Sequence, residues 1–248
     1  VERWAEGEGE RDVAVGASLE ACAEKLVELL REMRVKKVAY IGIIEQAGEA
    51  YRKKISEELP KHGIELVESV AFSPDVRDLR TWILKTAELK PDIVVENVSM
   101  PLCQILMKQN KELGAPLSMG HLSAVASEID PDLREGTWQV LPSLPSPEWS
   151  AKFKAQFKKH GNYPAPQFYN TLSMIINAYE KLDSVKKPTS DEVAQSIRSL
   201  GSFEGSTGKL TFAAPNRYEA PVSYFVFQKG TAQPMTLQEL MLYYGKAK

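Results

Sequence analysis

At 248 residues the chain is long enough to bury a sizeable core in one large domain or two small ones. Its formal charge of −2, with 31 basic and 33 acidic residues interspersed, argues against the concentrated basic face that a nucleic-acid binder needs. No apolar run approaches the roughly 20 residues that span a bilayer. The acidic opening VERWAEGEGERD is also unlike a secretion signal, which is basic and then apolar, and that leaves the compartment open.

The first helix is predicted over ASLEACAEKLVELLREMR, where Leu19, Cys22, Ala23, Leu26, Leu30 and Met33 form one apolar stripe. On that stripe Cys22 reads as a small buried hydrophobe. VKKVAYIGII follows as a buried strand, GEAYRKKISEELPKHG as a helix closed by Gly63, and IELVESVAF as a second strand. In VRDLRTWILKTAELK, helical spacing recurs at Leu79, Trp82, Ile83, Thr86 and Leu89. Pro91 ends that helix, because its ring removes an amide donor and pushes the preceding residue out of the α region. The short β-branched run Ile93-Val94-Val95 then suits a central parallel strand covered on both faces. Ser99 is expected to cap a helix that starts at Met100 and Pro101 and runs through PLCQILMKQNKELG to Gly114. A short strand PLSMGH, a helical turn near SAVASEI and a strand TWQVLPS complete the series. Strands alternating with helices predict an α/β fold with an open, doubly wound parallel sheet.

The pattern changes at LPSLPSPEW, where Pro142, Pro145 and Pro147 hold the chain extended and mark a linker or crossing. Three helices follow, SPEWSAKFKAQFKKHG, PQFYNTLSMIINAYEKLD and TSDEVAQSIRSLG, carrying more apolar residues than their mutual contacts need. They call for a partner sheet. GSFEGSTGKLTF then reads as a Gly-rich turn into a strand, and PVSYFVFQKG as a further strand ending in a turn.

Motifs for catalysis or metal binding do not stand out. The two cysteines form no CxxC, and spacing alone neither requires nor forbids a Cys22–Cys103 bridge. HExxH, GxSxG, Walker and GxGxxG patterns do not occur among the residues. EGSTGK is too short for a phosphate loop and precedes a strand instead of a helix, so it reads as a turn. No catalytic residue, metal ligand or cofactor is therefore expected.

Six segments in order, VKKVAYI, LKTAELKPDIVV, ILMKQNKELGAP, FKAQFKKHGNYP, YNTLSMIINAYEKL and FEGSTGKLTF, resemble successive blocks of the type I periplasmic solute-binding proteins. The resemblance is to the branched-chain amino-acid-binding (leucine/isoleucine/valine) group of ABC importers and covers roughly residues 17 to 230. It implies two doubly wound lobes joined by crossings, with a small ligand held by lobe closure and delivered to an ABC permease. It also implies a periplasmic or extracellular location. On that pattern residues 1–16 are a polar N-terminal segment, 17–141 the α/β ligand-binding lobe, 142–214 the helical region of an incomplete other lobe, and 215–248 a return strand and tail. The chain would begin close to the first crossing. The helices after residue 148 would then lack part of their sheet, which fits a fragment, pairing with a second copy or another chain, or helices folded back onto the remaining sheet; a homodimer or a displaced helical region is expected.

Ligands of open α/β sheets sit beyond the carboxyl ends of the strands. The resemblance points there to Gln46, Ala47 and Gly48 after the first strand, although Ala47 replaces the aromatic or polar contact usual before the glycine. Around the position where amino-acid-binding members carry a carboxylate for the ligand ammonium stand His121 and Leu122. Glu96 is a candidate substitute for that carboxylate, its other reading being a solvated or dipole-paired acid. His121 is either a donor to the ligand or a structural histidine. Ser99 adds a hydroxyl to this rim, and Phe168 and Tyr169 resemble the aromatic wall of the other lobe or else are core residues. Two other readings of the fold remain, a small-molecule enzyme and a sensory ligand-binding domain.

Overall fold

A computed structural model describes residues 13–122, 129–159, 164–182, 186–213 and 216–244, the side chains of Ala47 and Pro164 excepted. The chain divides into two compact units, Leu19–Leu141 with Ser223–Lys248 and Val1–Ser18 with Pro142–Val222. In chain order the elements are β1 (Ala14–Gly16), α1 (Leu19–Glu32), β2 (Lys37–Ile43), α2 (Gln46–Lys61), β3 (Glu65–Phe72), α3 (Arg80–Glu88), β4 (Ile93–Asn97), α4 (Leu102–Glu112), β5 (Met119–His121), α5 (Pro131–Arg134) and β6 (Trp138–Pro142). They continue with α6 (Pro147–Phe157), α7 (Pro164–Glu180), α8 (Ser190–Ser199), β7 (Ser202–Gly205), β8 (Gly208–Ala213), β9 (Arg217–Glu219), β10 (Val222–Gln228), β11 (Thr231–Met235) and α9 (Leu237–Tyr243).

The larger unit is built on a seven-stranded sheet of order β11-β10-β6-β5-β4-β2-β3. Strands β3, β2, β4, β5 and β6 pair in parallel, with Val38 opposite Ile93 and Gly42 opposite Asn97. In β2 neighbours of both parities, Val38, Ala39, Tyr40 and Ile41, are fully buried, so both faces of the sheet are covered. The Lys-Pro-Asp stretch has a physical role in this pairing. Lys90 adopts a left-handed φ of 53° that turns the chain out of α3, and the Asp92 carboxylate accepts the N–H groups of Lys36 (2.6 Å) and Lys37 (2.9 Å), tying the start of β4 to the start of β2. Helix α1 buries Cys22, Ala23, Leu26, Val27, Leu29 and Leu30. The cysteines Cys22 and Cys103 are both buried and not bridged. A methyl group on Gly120 in β5 would lie 1.9 Å from the Trp138 ring, so the glycine makes room for the indole of β6.

The smaller unit has a four-stranded sheet of order β1-β9-β8-β7, in which β1 and β9 are parallel and the other pairs antiparallel. Within the segment 215–248, expected as a return strand and tail, β9 belongs to this sheet, while β10 and β11 extend the larger one. The EGSTGK stretch forms the tight turn between β7 and β8, with Gly205 paired to Gly208. The buried turn is held by Asn170, whose side-chain oxygen accepts the Ser206 N–H (2.7 Å) and hydroxyl (2.8 Å). The core of this unit joins Met174 and Ala178 of α7 to Ile197, Leu210, Tyr218 and Ala220. Helices α7 and α8 therefore have a sheet, but it covers one side of α7. On the other side Phe168, Leu172, Ile176 and Tyr179 are exposed, Phe168 by 75%. The helical turn expected near SAVASEI falls on residues 123–128, outside the described residues. Among the described residues no helix is long and apolar enough to cross a membrane.

Candidate functional site

Parallel pairing brings the carboxyl ends of β2, β4 and β5 to one edge of the larger unit. At the end of β2, Gln46 starts α2 and is exposed, whereas Gly48 is buried with its Cα against the strand. A methyl group there would lie 2.2 Å from the Ile43 carbonyl, so only glycine lets the first turn of α2 pack this closely. The side chain of Ala47 is outside the described residues. Below this turn lies Tyr40, whose phenol is hydrogen-bonded to the Asn97 side chain at the end of β4. Burial pushes its pKa up, so it stays protonated as a hydrogen-bonding hydroxyl.

At the end of β4, Glu96 stands directly opposite His121 of β5 in the ladder, on the same face. Both side chains are fully buried and their carboxylate and ring nitrogen, Oε1 and Nδ1, are in contact. Glu96 Oε2 accepts the Val98 N–H at 2.9 Å and so fixes the loop that carries Ser99. The solvated reading of Glu96 is thus corrected: the acid lies beneath the rim. Cys103, on the first turn of α4, places Sγ 3.8 Å from Glu96 Oε1. Burial pushes its thiol pKa well up, and the Glu96 carboxylate adds to the effect. No spacing rule singled out Cys103. Its proximity follows from the β4–α4 geometry, which puts a helix's first turn over the end of the preceding strand.

Ser99 is exposed at the rim, but its expected capping role is corrected. Helix α4 has Pro101 at its N-cap without a side-chain cap, and Ser99 contributes its backbone carbonyl, which accepts the Cys103 N–H at 3.1 Å. Leu122 is buried, its N–H bonded to the Glu96 carbonyl at 2.8 Å. Phe168 and Tyr169 belong to the smaller unit. Both are exposed, which removes the core reading; Tyr169 stands edge-on to Trp149 at 5.6 Å between ring centroids.

A doubly wound sheet with parallel strand ends gathered at a polar rim defines a class of α/β small-molecule-binding lobes. Within that class the assignment is specific: the periplasmic binding protein profile matches residues 13–231, and the chain belongs to that family. Among solved structures, a leucine-binding protein from Thermotoga maritima superimposes with a TM-score of 0.81 at 15% identity, over 93% of this chain and 69% of its own. An ABC-transporter solute-binding protein from R. palustris, solved with benzoate, gives 0.81 at 13% identity, over 94% and 67%. An amino-acid ABC-transporter substrate-binding protein from Pseudomonas fluorescens gives 0.80 at 14%, over 95% and 69%. These likenesses establish the fold, and the chain spans about two thirds of the length of those relatives. No curated protein matches the chain significantly.

Proposed function

We propose that the chain acts as the solute-binding component of an ABC importer, taking a small amino-acid-like or polar organic ligand and presenting it to a membrane permease from the periplasmic or extracellular side. The observation that supports this reading is the parallel register of β2, β4 and β5 in a family fold, with Gln46 and Ser99 both exposed beyond the strands' carboxyl ends. Glu96 serves the rim from beneath, its carboxylate accepting the Val98 N–H and its backbone carbonyl the Leu122 N–H, and His121 contacts that carboxylate; Phe168 and Tyr169 offer an aromatic face on the smaller unit. The leucine-binding protein and the solute-binding protein solved with benzoate indicate the ligand class to test first. Pairing of two copies through the exposed face of α7 belongs to the same proposal, and its apolar stripe is what supports it.

A thermal-shift panel of amino acids, amides, small carboxylates and aromatic acids tests the reading, since specific binding stabilises the chain by RT ln(1 + [L]/Kd), about 2.7 kcal/mol at a hundredfold excess over Kd. At least one compound should raise the unfolding midpoint, and Gln46→Ala or Ser99→Ala should weaken that response without lowering the ligand-free midpoint, both side chains being exposed. A flat response across the panel at millimolar concentrations defeats the proposal.

A further inference from the structure

Three side chains from three elements converge below the rim of the larger unit: Glu96 of β4, Cys103 of α4 and His121 of β5. One donor atom from each lies within 4.8 Å of the other two, and none of the three is more than 2% exposed. Glu96 Oε1 is the hub, touched by His121 Nδ1 and 3.8 Å from Cys103 Sγ. One turn along α4, Met107 Sδ lies 3.9 Å from the same sulfur. His121 Nε2, by contrast, is buried with no hydrogen-bond partner. Buried ring nitrogens are rarely left so, and an orphan of this kind asks for an ion, a water or a functional role.

We propose that Glu96, Cys103 and His121 form a binding site for a borderline divalent transition-metal ion of the Zn2+ type. Carboxylate oxygen, imidazole nitrogen and thiolate sulfur are the three donors that Zn2+ accepts together, whereas Mg2+ and Ca2+ take oxygen alone. The cysteine–glutamate spacing agrees with a shared ion, whereas the Glu96–His121 contact is a hydrogen bond that an ion taking both atoms would have to open. Zinc bonds of about 2.3 Å to sulfur and about 2.1 Å to oxygen, opened to the tetrahedral angle, separate the two donors by about 3.6 Å, close to the 3.8 Å between Cys103 Sγ and Glu96 Oε1. A cluster held only by hydrogen bonds explains less, because a thiol at that distance is a weak donor. On binding, the Cys103 thiol releases one proton to water and coordinates as thiolate, His121 binds through one ring nitrogen as neutral imidazole, and Glu96 is already a carboxylate. The thiolate and carboxylate then balance the charge of the ion inside the protein. Binding tethers β4, α4 and β5 to one another, independently of any organic solute at the rim.

The test is to refold the reduced chain with Co2+, because a buried cluster loads most readily while it is forming, and to record the absorption spectrum. One Co2+ per chain is expected, with a sulfur-to-cobalt charge-transfer band in the near ultraviolet and visible bands of tetrahedral strength, all removed by added Zn2+. Cys103→Ser should remove the charge-transfer band and lower Co2+ affinity by at least about a hundredfold, beyond the 10–100-fold typical of an outer-shell partner, while Cys22→Ser retains both. Zinc should also raise the unfolding midpoint of the native chain and leave that of Cys103→Ser unmoved, with circular dichroism showing that the variant is folded. A wild-type spectrum without the charge-transfer band, or a band that persists in Cys103→Ser, overturns the site. Because no organic ligand enters these measurements, their failure leaves the solute-binding reading standing, and the reverse also holds.

Discussion

The two units use the same kinds of element but bury them to different depths. In the larger unit β2 is covered on both faces, and Leu102, Leu106, Ile83 and Val94 pack in one continuous core. In the smaller unit α6 has no buried residue, and α7 presents Leu172 and Ile176 outward while burying Met174 and Ala178. A helical apolar pattern therefore states how much surface wants covering; it does not state how much sheet is there to cover it. α7 is apolar on more of its circumference than a four-stranded sheet can meet.

That contrast can be broken by truncating one leucine in each unit. Leu106→Ala removes a fully buried side chain and should cost about 3 kcal/mol, within the usual range for a core leucine. Leu172→Ala removes one that is 59% exposed in the single chain, and in solution too dilute for two copies to pair it should change stability by less than about 0.5 kcal/mol. Urea unfolding measures both, and equal losses would mean that the α7 face is covered in solution. Next in size comes Gly120→Ala. Its added methyl group meets the Trp138 ring in the middle of the sheet, and overpacking of this kind costs about 2 kcal/mol. A neutral result would show that β6 can shift away from β5 without loss.

Legibility in the sequence followed the same division. The parallel strand Ile93–Val95 and the end of its preceding helix are readable, because β-branched runs and Pro91 act locally, whereas the placing of PVSYFVFQKG in the larger sheet is implied by the family resemblance alone. The small sheet was not read from β1 or β9, three-residue strands too short to carry a period. Helix α9 was also missed, although Thr236 and Glu239 form the capping box that announces it. At the rim, the sequence marks Glu96 and His121 as candidate ligand contacts but does not pair them. Their contact depends on strand register, Glu96 opposite His121, and residue spacing does not reveal register. Cys103 joined them for the same reason, through the packing of α4 over β4.

A smaller effect sharpens the comparison by asking whether the units unfold together. Thr189 caps α8 in the smaller unit and Thr236 caps α9 in the larger, each with a reciprocal glutamate. Replacing either threonine with alanine should cost about 1 kcal/mol. If the units melt separately, calorimetry will show each variant lowering one transition and leaving the other in place. If they melt as one, both variants will shift the same single peak.

The smallest effect is a pH dependence confined to the larger unit. Lys25 donates to Glu28 at 2.7 Å and so holds its pKa below the ordinary value against the opposing effect of burial; the Tyr224 hydroxyl, also at 2.7 Å, adds to the lowering. A carboxylate whose pKa is lower in the folded chain stabilises it fully above the unfolded value, and loses that contribution as pH falls through the folded value. Both side chains of the ion pair are more than a third exposed, so solvent screens it and the contribution is a few tenths of a kcal/mol. The stability difference between the wild-type chain and Glu28→Gln should therefore be level from about pH 7 to pH 5 and shrink toward pH 3. It should also shrink in molar salt at neutral pH, where the ion pair is screened but the Tyr224 hydrogen bond is not. A difference that stays level from pH 7 to pH 3 would show that Glu28 stabilises this unit through packing, with its charge contributing nothing measurable.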